Sequence, residues 1–242
     1  MLRLMKDKVV LLTGGGRGIG RAAVSLFSNA GAKVAFCART EGERLGVEKE
    51  VAAAGGIVRA FSADIASQRE VNRMVSEIKA QWGKIDLLIN NAGVLGAKKT
   101  LATYPPDTWD EVIRINVNGT FYVTQAVVRE MIPARSGTII SVSSSVGRKG
   151  RATWGAYAVS KFALEGMMQT LAEEVDRFGI RVLSLNPEAT RTRMRAKAYE
   201  KEDPARLKHP EAVAKALFYL AISESPALQG KSLNFSDLTL ED

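Results

Sequence analysis

Cysteine and histidine are nearly absent: one of each occurs in 242 residues. Cys37, inside the run KVAFCA, has no second thiol with which to close an intramolecular disulfide. A reducing compartment and a small buried thiol are therefore expected. The lone His209, in LKHPE, has no cysteines or acids around it at metal-ligand spacing, so no metal is assigned. Long apolar runs are missing too. The longest, such as VVLL at 9 to 12, fall far short of the ~20 residues a bilayer crossing needs. The opening MLRLMKDK has no apolar core of the kind that directs export. A soluble, cytoplasmic protein without membrane attachment is expected. The formal charge of +8 favours anionic ligands, acidic proteins or nucleic acid. Because the basic residues are mostly dispersed among acids, with no aromatic-interleaved basic stripe, nucleic acid is not expected as a partner.

What the chain does have is alternation. Short β-rich runs, KVVLLT, KVAFCA, GIVRAFSA and IDLLIN, are each followed by helical apolar spacing, over 19–30, 41–54, 68–81 and 107–132. The alternation continues through GTIISVS, a helix at 155–178, IRVLSLN, a helix at 210–222 and a short strand near KSLNF. Near-continuous apolar strands alternating with amphipathic helices predict an α/β fold: a Rossmann-type doubly wound parallel sheet of about seven strands, with helices on both faces. No linker, repeat or low-complexity tract divides the chain, so residues 1–242 read as one domain. Glycines 31, 55, 56, 83 and 179 lie just past predicted helices, where left-handed caps belong.

The first strand runs into TGGGRGIG at 13–20 and a helix follows. Glycines there let a backbone approach a pyrophosphate, and the helix N-terminus offers unpaired N–H groups to it. Gly14, Gly18 and Gly20 are spaced G-x-x-x-G-x-G, and Arg21 and Ala22 stand where a P-loop needs Lys and Ser or Thr. A dinucleotide is expected and ATP hydrolysis is not. At the end of the second strand, CART places Ala38 where an NAD-binding carboxylate would stand, and Arg39 beside it. Arg39, with Arg17 from the glycine loop, suits a 2′-phosphate, so the expected cofactor is NADP(H).

Further along stand NNAG at 90–93, INVNG at 115–119, SVSSS at 141–145 and YAVSK at 157–161. A Tyr and a Lys four apart share one face of any helix, so that pair alone distinguishes nothing. Together with TGGGRGIG, however, these motifs resemble, in order and over nearly the whole chain, the short-chain dehydrogenase/reductase family, with a pattern like that of 3-oxoacyl-carrier-protein reductases. The resemblance implies a catalytic set of Asn116, Ser144, Tyr157 and Lys161. It also implies cofactor contacts from Gly14, Arg17, Gly18, Ile19, Gly20, Arg39, Asp64, Ile65, Asn91, Ala92, Gly93, Pro187 and Thr192, besides Tyr157 and Lys161. Its chemistry interconverts a ketone and a secondary alcohol by hydride transfer. Tyr157 would be the general acid, its pKa lowered by Lys161 and an oxidised nicotinamide, and Ser144 would hold the substrate oxygen. Asn116 lies among poor helix formers, so a local kink that frees backbone groups for a water relay to Lys161 is expected. A non-catalytic dinucleotide-sensing protein on the same fold is the alternative.

The family pattern fails at two places. Glu188, in NPEATRT, replaces a glycine after Pro187, and GKSLNFSDLTLED lacks a glycine-rich ending. Glu188 either takes a positive φ, with its carboxylate paired to Arg191 or Arg193, or points to solvent with an ordinary φ. The basic segments RTRMRAK at 191–197, which resembles a lid, and RKGR at 148–151 either attract an anionic substrate or acidic carrier protein or are merely solvated. Arg135 and Arg177 are further candidates for carrier docking. A small-molecule carbonyl or alcohol substrate and a homo-oligomer, tetramer or dimer, complete the expectations.

Overall fold

The structure, a computed structural model, describes residues 4–239. Seven parallel strands form one sheet in the order β3-β2-β1-β4-β5-β6-β7. They are β1 (Val9–Thr13), β2 (Lys33–Cys37), β3 (Ile57–Phe61), β4 (Leu87–Asn90), β5 (Gly137–Val142), β6 (Ile180–Asn186) and β7 (Ser232–Asn234). The helices between them are α1 (Gly18–Asn29), α2 (Glu41–Ala53), α3 (Gln68–Trp82), α4 (Pro106–Ile113), α5 (Thr120–Ala134), α6 (Gly155–Val175), α7 (Arg193–Ala198) and α8 (Pro210–Ile222). Along β1, Val9 and Leu11 enter one apolar core while Val10 and Leu12 enter the other. A period of two thus fills a core on each face of the sheet. Among the described residues no helix is long and apolar enough to cross a membrane.

Local chemistry sets the element ends. In α3, Val71, Met74, Val75 and Ile78 repeat at helical spacing and are all buried. The Ser67 side chain caps its first turn by accepting from the Glu70 amide, and Gly83, at φ 83°, ends it in the left-handed region. Gly31, Gly55 and Gly179 also have positive φ. Gly56 does not, contrary to the capping expectation. Its site is crowded instead: a Cβ there would stand 2.0 Å from Ser28 Oγ, 2.8 Å from Val51 Cγ1 and 3.1 Å from the Val51 carbonyl oxygen.

Three segments depart from the sequence reading. The helix expected over 107–132 is α4 and α5 joined by a π-helical stretch, Arg114–Gly119, which carries Asn116. Asn, Val, Asn and Gly in succession favour that wide turn because none is a strong helix former. The helix expected to reach 178 yields to a 3₁₀ turn at Asp176–Phe178 before Gly179. The basic segment 191–197 contains a helix, α7, whose first turn is capped by Thr192 accepting from the Arg195 amide at 3.1 Å.

Two glycines should respond oppositely to alanine. Gly46, inside α2, has open space around its missing side chain, so Gly46→Ala should stabilise by about 0.5–1 kcal/mol and raise the thermal midpoint by roughly 1–4 °C. A Cβ on Gly20 would lie 2.1 Å from the Gly14 carbonyl oxygen, so Gly20→Ala should lower the midpoint. Parallel thermal melts check both.

Candidate active site

The strand order reverses between β1 and β4, and a cleft of about 1600 Å³ opens at the carboxyl ends of the strands there. Its floor is the glycine loop. The amides of Gly14 and Gly15 donate to the Cys37 carbonyl at 2.9 and 3.1 Å, folding the loop back onto β2, and Gly14 and Gly18 hold φ of 73° and 54°. Thr13 Oγ1 accepts from the amides of Asn91 and Ala92 at 3.0 and 3.1 Å. In return the Asn91 side-chain amide donates to the carbonyls of Thr13 and Gly14, each at 3.1 Å. Asn91 lines the cleft, yet its amide group is engaged with the loop beneath it. Burial pushes the Cys37 thiol up to about 11, with amide hydrogen bonds opposing, which leaves it unreactive.

At one end of the cleft stand Arg39, Arg17, Asp64 and Ile65. Arg39 is exposed, and among the described residues its guanidinium makes no hydrogen bond or ion pair. Arg17 is instead engaged by Glu43 Oε1 at 3.4 Å, and the same oxygen takes Arg193 Nη1 at 2.6 Å across 150 residues of sequence. Glu43 was not among the sequence candidates. Its position in the first turn of α2 marks it as a helix-start acid, and only the fold turns it toward the glycine loop. The Asp64 carboxylate takes Arg114 Nη1 at 3.0 Å and the Ala66 amide at 3.0 Å. Burial acts to raise its pKa, but these bonds and the nearby Arg39 charge outweigh it and hold the carboxyl below its usual range.

At the other end are Ser144, Tyr157 and Lys161, with Ser144 just past β5 and the other two on the buried face of α6. Lys161 Nζ donates to the Val142 carbonyl at 2.7 Å and lies 5.7 Å from the Tyr157 ring centroid. Burial pushes Tyr157 up to about 12, against the opposing effect of the Ser144 hydroxyl. The sequence reading has Lys161 and an oxidised nicotinamide together bringing that pKa down, an arrangement the chain by itself does not present. Within the folded chain desolvation dominates, because the phenolate is the charged form. Burial also brings Lys161 down to about 8, with the Glu165 carboxylate opposing. Glu165, itself buried, accepts from Ser184 Oγ at 2.6 Å, from Ser232 Oγ and from Arg148 Nε at 3.3 Å.

Two expected site residues stand behind the cleft wall. Gly20 makes close contact with Gly14. Asn116 Oδ1 accepts from the Val94 amide at 2.8 Å, while its Nδ2 donates to the Val94 carbonyl at 2.9 Å and to Ser160 Oγ at 3.0 Å. The Asn116 carbonyl, expected to be freed by the kink, accepts from Thr120 Oγ1 at 2.8 Å. The side chain therefore pins the loop after β4 to α6. The remaining expected residues, Ile19, Ala92, Gly93, Pro187 and Thr192 among them, line the cleft.

Glu188 also lines the cleft and has φ 55°. A side chain in that region costs about 1–2 kcal/mol. Its partners are Lys208 Nζ at 3.0 Å and Ser236 Oγ at 2.6 Å, not Arg191 or Arg193. Sequence proximity had suggested the arginines, but Arg193 turns to Glu43 and Arg191 lies exposed. Arg148, in a segment expected either to attract an anion or to be merely solvated, is structural: it donates to Asn234 Oδ1 and to the Leu233 carbonyl, each at 2.9 Å.

A Gly-rich turn after the first strand, a crevice at the sheet's switch point and a Tyr/Lys pair on one helix define a nucleotide-dependent oxidoreductase of the short-chain type. The chain belongs to the short chain dehydrogenase family, whose pattern matches residues 8–203. It is 36% identical over 234 residues to the uncharacterized oxidoreductase YciK of Escherichia coli, covering 96% of this chain and 92% of that one. It is 34% identical over 235 residues to the 3-oxoacyl-[acyl-carrier-protein] reductase FabG of Thermotoga maritima, covering 94% and 95%. A short-chain dehydrogenase of Shigella flexneri complexed with NADP superposes with a TM-score of 0.93 at 36% identity, over 98% of this chain and all of that one. One from Escherichia coli CFT073 complexed with NADPH gives 0.91 at 36% identity, over 96% and 98%.

The depressed pKa of Lys161 has a consequence for stability. Below pH 8 the ammonium is charged in both folded and unfolded chains, and its burial is a net cost. Between pH 8 and 10.5 the folded chain releases the proton first, so that cost is relieved as pH rises. Lys161→Met should therefore raise the thermal midpoint at pH 7, and the gain over the parent should shrink by pH 10. Melts at the two pH values measure this.

Proposed function

We propose that the chain is an NADP(H)-dependent oxidoreductase that interconverts a ketone and a secondary alcohol. The observation that carries this reading is one continuous cleft, with the unpaired Arg39 at one end and buried Tyr157, beside Ser144 and Lys161, at the other. The residues fit the cofactor. The glycine loop presents backbone where a Cβ would intrude, Arg39 is free for a 2′-phosphate, and Ala38 adds no opposing carboxylate. When bound, NADPH supplies the hydride. Tyr157, kept neutral by burial, donates its phenolic proton to the carbonyl oxygen, and Ser144 hydrogen-bonds that oxygen and restrains it. The Lys161 ammonium supports the phenolate left behind. Asn116 acts from behind, through the Val94 backbone and Ser160.

The wall around Tyr157 is apolar: Leu95, Val146, Trp154 and Ala198, with Met194 and Tyr199 packed against them. Such a wall suits a carbonyl compound with a hydrophobic body, and a 3-oxoacyl thioester is one class that fits, in keeping with the likeness to FabG. Arg191 and Lys197 are exposed at the rim of the cleft, where they would face an acidic carrier protein. Arg135 and Arg177 are less suited, since Arg135 donates to the Arg177 carbonyl at 2.8 Å and both lie over Phe178. Phe121 on α5, with Val159 and Phe162 on α6, is between 43% and 45% exposed, which supports a homo-oligomer. The whole chain forms one catalytic domain of the reducing cytoplasm, in keeping with its single buried thiol.

Arg39→Ala should shrink an NADPH-over-NADH preference in kcat/KM by roughly tenfold or more, as expected for a charge-assisted contact of ~1.5–3 kcal/mol. Equal kcat/KM for the two cofactors in the parent would defeat the cofactor reading. Tyr157→Phe should abolish NADPH oxidation by a panel of ketones and acyl thioesters, followed by absorbance, while NADPH affinity stays within about threefold. Retention of most of kcat would show that another group delivers the proton.

A further inference from the structure

Glu188 sits where three segments distant in sequence meet. Its backbone amide donates to Asn186 Oδ1 at 3.0 Å, at the end of β6. One carboxylate oxygen takes Lys208 Nζ at 3.0 Å, just ahead of α8, and the other takes Ser236 Oγ at 2.6 Å and the Ser236 amide at 3.4 Å, past β7. Lys208 donates also to the Pro187 carbonyl at 3.1 Å and lies 4.1 Å over the Phe235 ring, so the ammonium is held between the loop and the C-terminal segment. Its backbone joins the same seam, where the Lys208 carbonyl accepts from the Arg191 amide at 2.9 Å. The network continues from Asn186 Nδ2 to Asn234 Oδ1 at 3.0 Å, which also accepts from Arg148 at 2.9 Å. Arg148 lies four residues after Ser144. Burial acts to raise the Glu188 pKa, but Ser236 and Lys208 outweigh it and hold the carboxyl below its usual range.

The two places where the sequence departs from its family are therefore one structural unit. A glycine at 188 would adopt φ 55° without strain, but it would bring no side chain to the C-terminal segment. With glutamate, the strain is held by an ion pair and two hydrogen bonds, and the loop Pro187–Thr192 is anchored at its beginning. That loop lines the cleft: it leaves β6 beside Val142, whose carbonyl accepts from Lys161, and ends with Thr192 facing Gly18, whereas Arg39 and Asp64 lie past β2 and β3.

We propose that Glu188 is a positioning residue: through Lys208 and Ser236 it fixes the Pro187–Thr192 loop in the conformation that receives the nicotinamide half of the cofactor. This rests on the NADP(H) reading above. It assigns a role in holding the nicotinamide end, with no part in holding the adenosine end.

The test compares two ligands on the parent, Glu188→Gly, Glu188→Gln and Lys208→Met. One is NADPH, titrated by its own fluorescence. The other is 2′,5′-ADP, which carries the adenosine half alone, titrated by calorimetry. Glu188→Gly and Lys208→Met should weaken NADPH by roughly five- to tenfold and shift the emission of bound NADPH toward that of free NADPH. Affinity for 2′,5′-ADP should stay within about twofold. Glu188→Gln, which keeps an acceptor for Ser236 but loses the charge, should fall between parent and glycine variant. Unchanged NADPH affinity and emission in both Glu188→Gly and Lys208→Met overturns the proposal, as does equal weakening of both ligands. If Glu188→Gly does not fold, Lys208→Met decides by the same comparison. A parent that binds no 2′,5′-ADP overturns the cofactor reading itself, and the proposal with it.

Discussion

The carboxyl ends of β1 and β4 are tied together by Thr13 and Asn91, and the site depends on that tie. Each side chain satisfies backbone on the other strand's side: the threonine hydroxyl accepts from the Asn91 and Ala92 amides, and the asparagine amide donates to the Thr13 and Gly14 carbonyls. At a switch point the connecting chains leave in opposite directions, so backbone groups there have no strand to pair with. Side chains must do the pairing. With those groups satisfied, the glycine loop and the loop after β4 form a fixed floor on which a ligand can lie.

Burial governs the electrostatics at the Tyr157 end of the cleft. A parallel sheet covered on both faces leaves few places for charge, and α6 carries two charged groups inward, Lys161 and Glu165. The carboxylate is made tolerable by Ser184, Ser232 and Arg148, which come from β6, β7 and the turn after β5. The ammonium keeps one carbonyl partner and a depressed pKa. The same desolvation that raises Tyr157 lowers Lys161, so both titrate far from their ordinary values. One helix face thus sets the protonation states of an acid and of the cation beside it.

Cross-chain ion pairs hold the outer wall of the cleft. Glu43 links the glycine loop to the start of α7 through Arg17 and Arg193, and Glu188 links the end of β6 to Lys208 and Ser236. The first pair is exposed, and salt screens it readily. The second is half-buried and fixes a backbone angle. Several of the basic residues that give the chain its charge of +8 are thereby used as internal fasteners.

The sequence by itself determined the order of the strands and of the long helices between them, because apolar periods of two and of 3.6 are local properties of the chain. It also determined the glycine loop, a short motif running from the end of β1 into α1, and, taken with the other motifs, the Tyr157/Lys161 pair on α6. What it left open was every contact between residues far apart. Arg191 and Arg193 were the nearest cations to Glu188 in sequence, yet Lys208 and Ser236 meet it in space, because the bridge between Thr190 and Lys208 folds the chain back on itself. Arg148, in a segment read as either attracting an anion or merely solvated, is a strut, and Glu43, which the sequence did not single out, faces the glycine loop. Asn116 was implied by the family resemblance, and its kink by the poor helix formers around it, but what its side chain does depended on where the loop after β4 came to lie. The Tyr157 pKa likewise followed from burial. Desolvation is a sum over the whole surroundings, and only the tertiary structure supplies them.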